Sequence, residues 1–76
     1  MTPDHTLDAR GLLCPLPVLK LRKRLKSLAV GEVIALWADD PAAVIDVPHF
    51  CAESGHALVS TRDEAGGQVY VIRKSG

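Results

Sequence analysis

The sequence has few aromatic residues, few cysteines and no long apolar run. Aromatic residues make up 4% of its 76 residues, and no RNA-recognition motif is present, which disfavours a module that stacks nucleic-acid bases. No apolar stretch approaches the ~20 residues that a membrane-spanning helix needs. Residues 1–5 lack the basic and apolar regions of a signal peptide. We therefore expect a cytoplasmic protein with no membrane partner.

The two cysteines, Cys14 and Cys51, are too few for a disulfide framework, and cytosolic proteins seldom form structural disulfides. The chain is short, so residues 1–76 are expected to form one domain with a single small core. Hydrophobic residues account for 47% of the chain, and the formal net charge is zero. This composition indicates a folded protein and not a disordered one.

The spacing of apolar residues and turn residues predicts six elements in the order β-α-β-α-β-β. The predicted strands cover residues 5–10, 33–38, 57–62 and 68–74, and the predicted helices cover residues 15–28 and 41–54. Right-handed crossovers then give a mixed four-stranded sheet with both helices on one face, which is a two-layer α/β sandwich. We expect Asp40 to cap the second helix, Pro48 to kink or break it near Val47, Asp46 to cap the part that follows, and Gly55 to end it.

With both helices on one face, the other face of the sheet is left open. The central strand 33–38 is apolar throughout, and its residues alternate between the two faces. We expect Val33, Ala35 and Trp37 to face away from the helices. This set is either an exposed docking strip or ordinary core.

Cys14 stands immediately before Pro15-Leu16-Pro17, at the predicted start of the first helix. Proline is tolerated in a first helical turn, so Pro15 and Pro17 place Cys14 at or next to the N-cap. Free backbone N–H groups and the helix dipole there favour a thiolate, with a pKa lowered from ~8.5 to roughly 3.5–7.5. The thiolate is the form that attacks another sulfur atom. Since cysteine is a poor cap, a purely capping role explains its position less well.

The predicted first helix carries a basic face, because five of the nine basic residues lie between residues 20 and 26. Arg22 and Lys26 are one turn apart and, together with Lys23, are predicted to bind an acidic surface of a partner protein. The alternative is a solvated face that only keeps the protein soluble.

Two acidic residues and one basic residue are predicted near Cys14. Asp39 and Asp40 follow the second strand and are expected mainly to cap the second helix, with an acidic lip beside Cys14 as the alternative. Arg10 either lends positive potential to the Cys14 thiolate or faces solvent.

Cys51 follows Phe50 on the apolar side of the second helix, which predicts a buried, unreactive thiol. The spacing of His49, Cys51 and His56 matches none of the usual zinc patterns. We therefore expect no metal site.

Short motifs follow one another along the chain: TLDARGL at 6–12, CPLP at 14–17, GE at 31–32, DDPA at 39–42, DVPHFC at 46–51 and IRK at 72–74. Taken together, they resemble the TusA-like (SirA-like) family of small sulfur carriers. The resemblance covers nearly the whole chain and implies the same β-α-β-α-β-β sandwich.

The resemblance also implies a sulfurtransferase activity. In such a carrier, Cys14 accepts sulfane sulfur as a persulfide from a cysteine desulfurase or rhodanese-type donor and passes it to a downstream protein thiol. Pro15 and Pro17 shape the turn that presents Cys14, and no cofactor is implied beyond the persulfide sulfur. Family pathways include tRNA 2-thiouridine formation and sulfur oxidation. Leu16 departs from the acidic residue that tRNA-modifying members often carry, so the acceptor stays open.

Two other functions are compatible with the residues. One is a small RNA-binding module that uses the basic helix. The other is a regulatory adaptor that binds partners through the open sheet face, without sulfur chemistry. For the carrier itself, no direct contact with nucleic acid is expected.

Overall fold

The computed structural model describes residues 2–76 and forms one four-stranded sheet with two helices. The elements are β1 (His5–Asp8), α1 (Leu16–Ser27), β2 (Val33–Ala38), α2 (Ala43–Ser54), β3 (Ala57–Glu64) and β4 (Gly67–Arg73). The strand order is β1-β2-β4-β3; β1 and β2 are parallel, and the other two pairs are antiparallel. The predicted mixed sheet and its element order are confirmed.

The main core lies between the sheet and both helices. Its fully buried members include Leu21 from α1, Val47 from α2, and Ile34, Leu36 and Ile72 from the two central strands. The helices therefore share one face of the sheet, as predicted. Because β1 and β2 are parallel, the loops that follow them lie at the same end of the sheet.

A second cluster lies on the helix-free face of the two central strands. Its buried members are Val33, Ala35, Val69 and Val71, and Trp37 packs against them at the edge. The prediction that the Trp37 set faces away from the helices is confirmed. Of the two alternatives for this set, ordinary core is confirmed and the exposed docking strip is not, because the four aliphatic residues are at most 5% exposed and the Arg10 guanidinium lies 4.9 Å from the Trp37 ring centroid.

The ends of α2 differ in part from the predicted ones. The helix starts at Ala43, its N-cap is Ala42 and no side chain caps it, so the prediction of Asp40 as the cap is wrong. The residues before Ala43 form a turn instead, in which the Ala43 N–H donates to the Asp40 carbonyl at 3.0 Å. At the other end, Gly55 adopts the left-handed conformation with φ 81° and ends the helix as predicted.

Pro48 does not break α2, which is one continuous helix through Ser54. A proline inside a helix leaves the carbonyl four residues earlier without its N–H donor. Here that carbonyl belongs to Val44, a residue on the exposed side of the helix. Because α2 is continuous, the prediction that Asp46 caps a separate second part of the helix is wrong.

Candidate functional site

Cys14 is exposed on the loop between β1 and α1. Helix α1 starts at Leu16, with Pro15 as its N-cap and a further proline, Pro17, in its first turn. Cys14 is therefore next to the N-cap, one residue outside it, and the two prolines flank the start of the helix as predicted. The thiol lies at the end of the sheet where the carboxyl ends of β1 and β2 meet.

Two aspartates from the connection between β2 and α2 hold the Cys14 loop. The Gly11 N–H donates to Asp39 Oδ1 at 3.0 Å, and the Cys14 N–H donates to Asp40 Oδ2 at 2.6 Å. Asp40 also accepts the Ala42 N–H through its Oδ1 at 3.4 Å, and it is only 9% exposed. Asp39 and Asp40 thus serve mainly as acceptors for the backbone of the loop and not as helix caps, and for Asp40 the alternative of an acidic residue beside Cys14 is confirmed.

The Cys14 side chain is bound to a third carboxylate. Its S–H donates to Asp46 Oδ2 at 2.8 Å, and Asp46 belongs to the first turn of α2. This hydrogen bond, followed by desolvation and by the negative charges of Asp46 and Asp40, raises the pKa of the Cys14 thiol above its ordinary value.

The prediction that the start of the helix favours the Cys14 thiolate is therefore wrong. The thiol lies beside two carboxylates, which disfavour a further negative charge. The backbone N–H groups expected to support the thiolate are engaged elsewhere: that of Cys14 donates to Asp40, and that of Leu16 donates to the Leu13 carbonyl at 2.8 Å. Helix α1 begins at Leu16, so Pro15 separates Cys14 from the positive end of the helix dipole.

A cleft of about 310 Å³ opens beside Cys14 between the two helices. It is lined by Cys14, Pro15, Val18, Arg22, Asp46, His49, Phe50 and Glu53. A larger cleft of about 440 Å³ adjoins it and shares Arg22, Phe50 and Glu53. Together they form a groove that leads from the thiol along the helix pair.

The basic face of α1 is accessible, and Arg22, Lys23 and Lys26 are all exposed. None of the four ion pairs found among residues 2–76 involves this helix. Arg22 lines both clefts, and Lys26 lines the larger one, whereas Lys23 lines neither. Of the three predicted partner-binding residues, the structure brings Arg22 nearest to the site of Cys14.

Arg10 is engaged elsewhere. Its guanidinium donates two hydrogen bonds of 2.9 Å to the Asp8 carboxylate and lies over Trp37 on the helix-free face of the sheet. The hydrogen bond from the Arg10 side chain lowers the pKa of Asp8 to about 2. The alternative in which Arg10 supports a Cys14 thiolate does not apply.

Cys51 is 3% exposed in the main core, and burial raises the pKa of its thiol, in agreement with the predicted buried cysteine. Both cysteines are free. The two histidines once considered with Cys51 have other contacts: His49 lies 2.6 Å from Glu53, and the Ser75 N–H donates to His56 Nδ1 at 3.1 Å. Among residues 2–76, no three potential ligand side chains are grouped as a metal ion would require.

Sequence reasoning missed the role of Asp46. This residue opens the motif at 46–51, but 32 residues separate it from Cys14, and nothing in the spacing shows which loop its carboxylate contacts. It also missed the apolar rim, defined as Leu13, Leu16 and Ile45, which are 70%, 47% and 74% exposed. Leu13 and Leu16 flank the Cys14-Pro15 pair, and Ile45 precedes Asp46. Large exposed apolar side chains around a reactive group are typical of a protein-binding surface.

Neither helix within residues 2–76 has the length and apolar character to cross a membrane. Each is 12 residues long.

Comparison with known proteins gives matches over almost the whole chain. A family model described as "Sulfurtransferase TusA" matches residues 5–74. The structure is also similar to the crystal structure of a SirA-like protein from Desulfitobacterium hafniense, with a TM-score of 0.78 and 25% sequence identity. That alignment covers 95% of this chain and 97% of the other.

Proposed function

Because the chain belongs to the TusA family of sulfurtransferases, whose role is sulfur transfer, we propose that Cys14 is the residue on which it carries sulfur. The observation that carries this proposal is the contrast between the two thiols. Cys14 is exposed at the mouth of a cleft, whereas Cys51 is buried. A sulfur atom that must pass between two proteins requires the accessible thiol.

Loading is a thiol–persulfide exchange. Cys14 Sγ attacks the outer sulfur of a donor persulfide; the Sγ–S bond forms as the S–S bond of the donor breaks. The donor sulfur leaves as a thiolate and takes up the proton that Cys14 loses. The transferred atom moves as sulfane sulfur, so no oxidant or reductant is needed. Discharge is the same exchange in reverse, in which an acceptor thiol attacks the outer sulfur and Cys14 leaves.

The loop around Cys14 suits this exchange. Pro15 and Pro17 fix the turn into α1, while Asp39 and Asp40 hold the loop backbone. The thiol is thereby presented on a rigid frame, which reduces the ordering cost when a partner docks.

The proposed donor is a cysteine desulfurase or a rhodanese-type protein, and the proposed acceptor is a protein thiol in a pathway such as tRNA 2-thiolation or sulfur oxidation. The apolar rim gives both partners a surface to cover, and Arg22, Lys23 and Lys26 offer unpaired cations to an acidic partner. Leu16, two residues after Cys14, is 47% exposed and offers the acceptor an apolar contact.

The aromatic residues do not support the RNA-binding alternative. Binding of single-stranded RNA uses exposed aromatic rings on which bases stack. Tyr70 is fully buried, Trp37 is half-buried under Arg10, and Phe50 is half-buried between the helices. We therefore assign the basic helix to protein docking.

The proposal is tested by loading the protein with a cysteine desulfurase and cysteine and then measuring its intact mass. We expect a gain of one sulfur atom, reversed by dithiothreitol, in the wild type and in Cys51→Ala. Cys14→Ser should gain none. Loading of Cys14→Ser, or loss of loading in a folded Cys51→Ala protein, would refute the assignment of Cys14.

A further inference from the structure

Among residues 2–76, the Asp46 carboxylate has no cationic partner. It accepts the Cys14 S–H, and the four ion pairs among residues 2–76 all lie elsewhere. The charged groups that share its cleft do not neutralise it either. Glu53 is paired with His49, and Arg22 is not within ion-pair distance of any carboxylate. Asp40, the other carboxylate near the thiol, is bound to backbone N–H groups.

This arrangement penalises the reactive form of Cys14. A thiolate at Sγ would lie 2.8 Å from a carboxylate oxygen, and like charges so close repel one another. The thiol form, by contrast, donates a hydrogen bond to that oxygen. The contact therefore stabilises the form of Cys14 that does not attack sulfur.

We propose that Asp46 restrains Cys14 in the free carrier, and that a sulfur donor releases it by placing a lysine or arginine side chain beside Asp46. The inference rests on the proposed function, because it concerns the reactivity of the carrier thiol. It also adds a requirement for the partner, namely a cation near its own persulfide cysteine.

Release and transfer then form one balanced sequence. The partner's cation pairs with the Asp46 carboxylate, and the S–H to carboxylate hydrogen bond is lost. Cys14 Sγ attacks the outer sulfur of the donor persulfide, the new Sγ–S bond forms, and the S–S bond of the donor breaks. The thiol proton passes to the departing donor thiolate. Without a cation, the thiol stays neutral, which protects it from alkylation and oxidation.

The first test removes the charge of Asp46 with little change in shape. We expect Asp46→Asn to react with the neutral reagent iodoacetamide about three- to tenfold faster than the wild type at neutral pH, since the thiolate fraction rises while its nucleophilicity falls less steeply. Asp46→Glu keeps the charge and should react as slowly as the wild type. Asp63→Asn is the matched control, because it makes the same change on the exposed edge strand β3. Cys14→Ser gives the background from Cys51.

The second test probes the cation requirement in the unaltered protein. Three methanethiosulfonates that differ in charge transfer an S-alkyl group to Cys14: aminoethyl, methyl and sulfonatoethyl. With each rate divided by the rate of the same reagent with a free small thiol, the wild type should favour the cationic aminoethyl reagent over the anionic sulfonatoethyl reagent, and Asp46→Asn should lose most of this preference. This test does not depend on any variant for its first result.

Equal iodoacetamide rates in the wild type and Asp46→Asn would overturn the restraint, and so would a wild type that prefers the anionic reagent. Neither outcome would affect the proposed function, which depends on sulfur loading by a desulfurase. Conversely, a wild type that shows these alkylation rates but never gains sulfur would refute the proposed function and leave the thiol restraint established.

Discussion

The Sγ atom of Cys14 and the Oδ2 atom of Asp46 lie 2.8 Å apart, although 32 residues separate them in the chain. The loop before α1 and the first turn of α2 meet because β1 and β2 are parallel and end at the same sheet edge. This single contact reverses the expected electrostatics of the thiol, from a thiolate favoured by a helix terminus to a neutral thiol held by a carboxylate.

The raised pKa of Cys14 predicts how its reactivity depends on pH. The alkylation rate of the free protein with iodoacetamide should keep rising through neutral pH and level off only above the ordinary cysteine pKa of ~8.5. A profile already level below about pH 7 would indicate the thiolate that a helix N-terminus alone would favour, and would contradict the Asp46 contact.

Asp40 is predicted to stabilise the Cys14 loop and the start of α2 together. Asp40→Ala removes the acceptor of the Cys14 and Ala42 N–H groups, and because Asp40 is nearly buried, we expect a loss of about 1–3 kcal/mol in the free energy of unfolding. Urea denaturation measures this loss. Asp39→Ala is the control: Asp39 is exposed and accepts only the Gly11 N–H, so its loss should cost about 1 kcal/mol or less. Equal effects of the two substitutions would contradict the assignment.

Arg10 is predicted to set both the titration of Asp8 and the environment of Trp37. The pKa of Asp8 is about 2, so the stabilising Arg10–Asp8 interaction is present above the ordinary aspartate range and is lost as the pH falls towards 2. In Arg10→Ala, an NMR titration should find the pKa of Asp8 back in its ordinary range, and the Trp37 emission should shift to the red as the indole gains solvent. If the pKa of Asp8 in Arg10→Ala equals that in the wild type, this pairing is excluded in solution.

Arg22 is predicted to guide the sulfur donor. Reversing its charge in Arg22→Glu should slow sulfur uptake from a desulfurase about three- to tenfold at low ionic strength, and the difference should shrink towards 1 M salt. Arg73→Glu is the matched control, because Arg73 is an exposed cation at the end of β4, outside both clefts. A defect in Arg22→Glu that does not depend on salt would point to lost packing and not to lost charge.

The fold was predictable because its signals are local. A continuous apolar run defines β2, Gly55 ends α2, and the glycines at 66 and 67 mark the hairpin between β3 and β4. The exposed Cys14 next to two prolines and the buried Cys51 were also predictable from their immediate neighbours. In each case the physical cause lies within one helical turn or one strand.

The electrostatics of the site was not predictable in the same way. The sequence positions of Asp40 and Asp46 suit helix capping, but no side chain caps α2: both carboxylates bind the Cys14 loop, and Asp40 also accepts the Ala42 N–H before the helix. Which side chain meets which loop depends on how two helices settle on the sheet, and residue spacing along the chain does not encode it. The cover of Arg10 over Trp37 was missed for the same reason.

Locating the transferred sulfur by peptide mass spectrometry tests the central claim, that Cys14 carries sulfur, most directly. Protein loaded by a cysteine desulfurase would be trapped with iodoacetamide and digested before and after exposure to a reduced thiol. We expect one additional sulfur atom on the peptide that contains Cys14 before exposure, and the same peptide without it afterwards. An additional sulfur on the Cys51 peptide, or one on Cys14 that a reduced thiol does not remove, would contradict a carrier that works through Cys14.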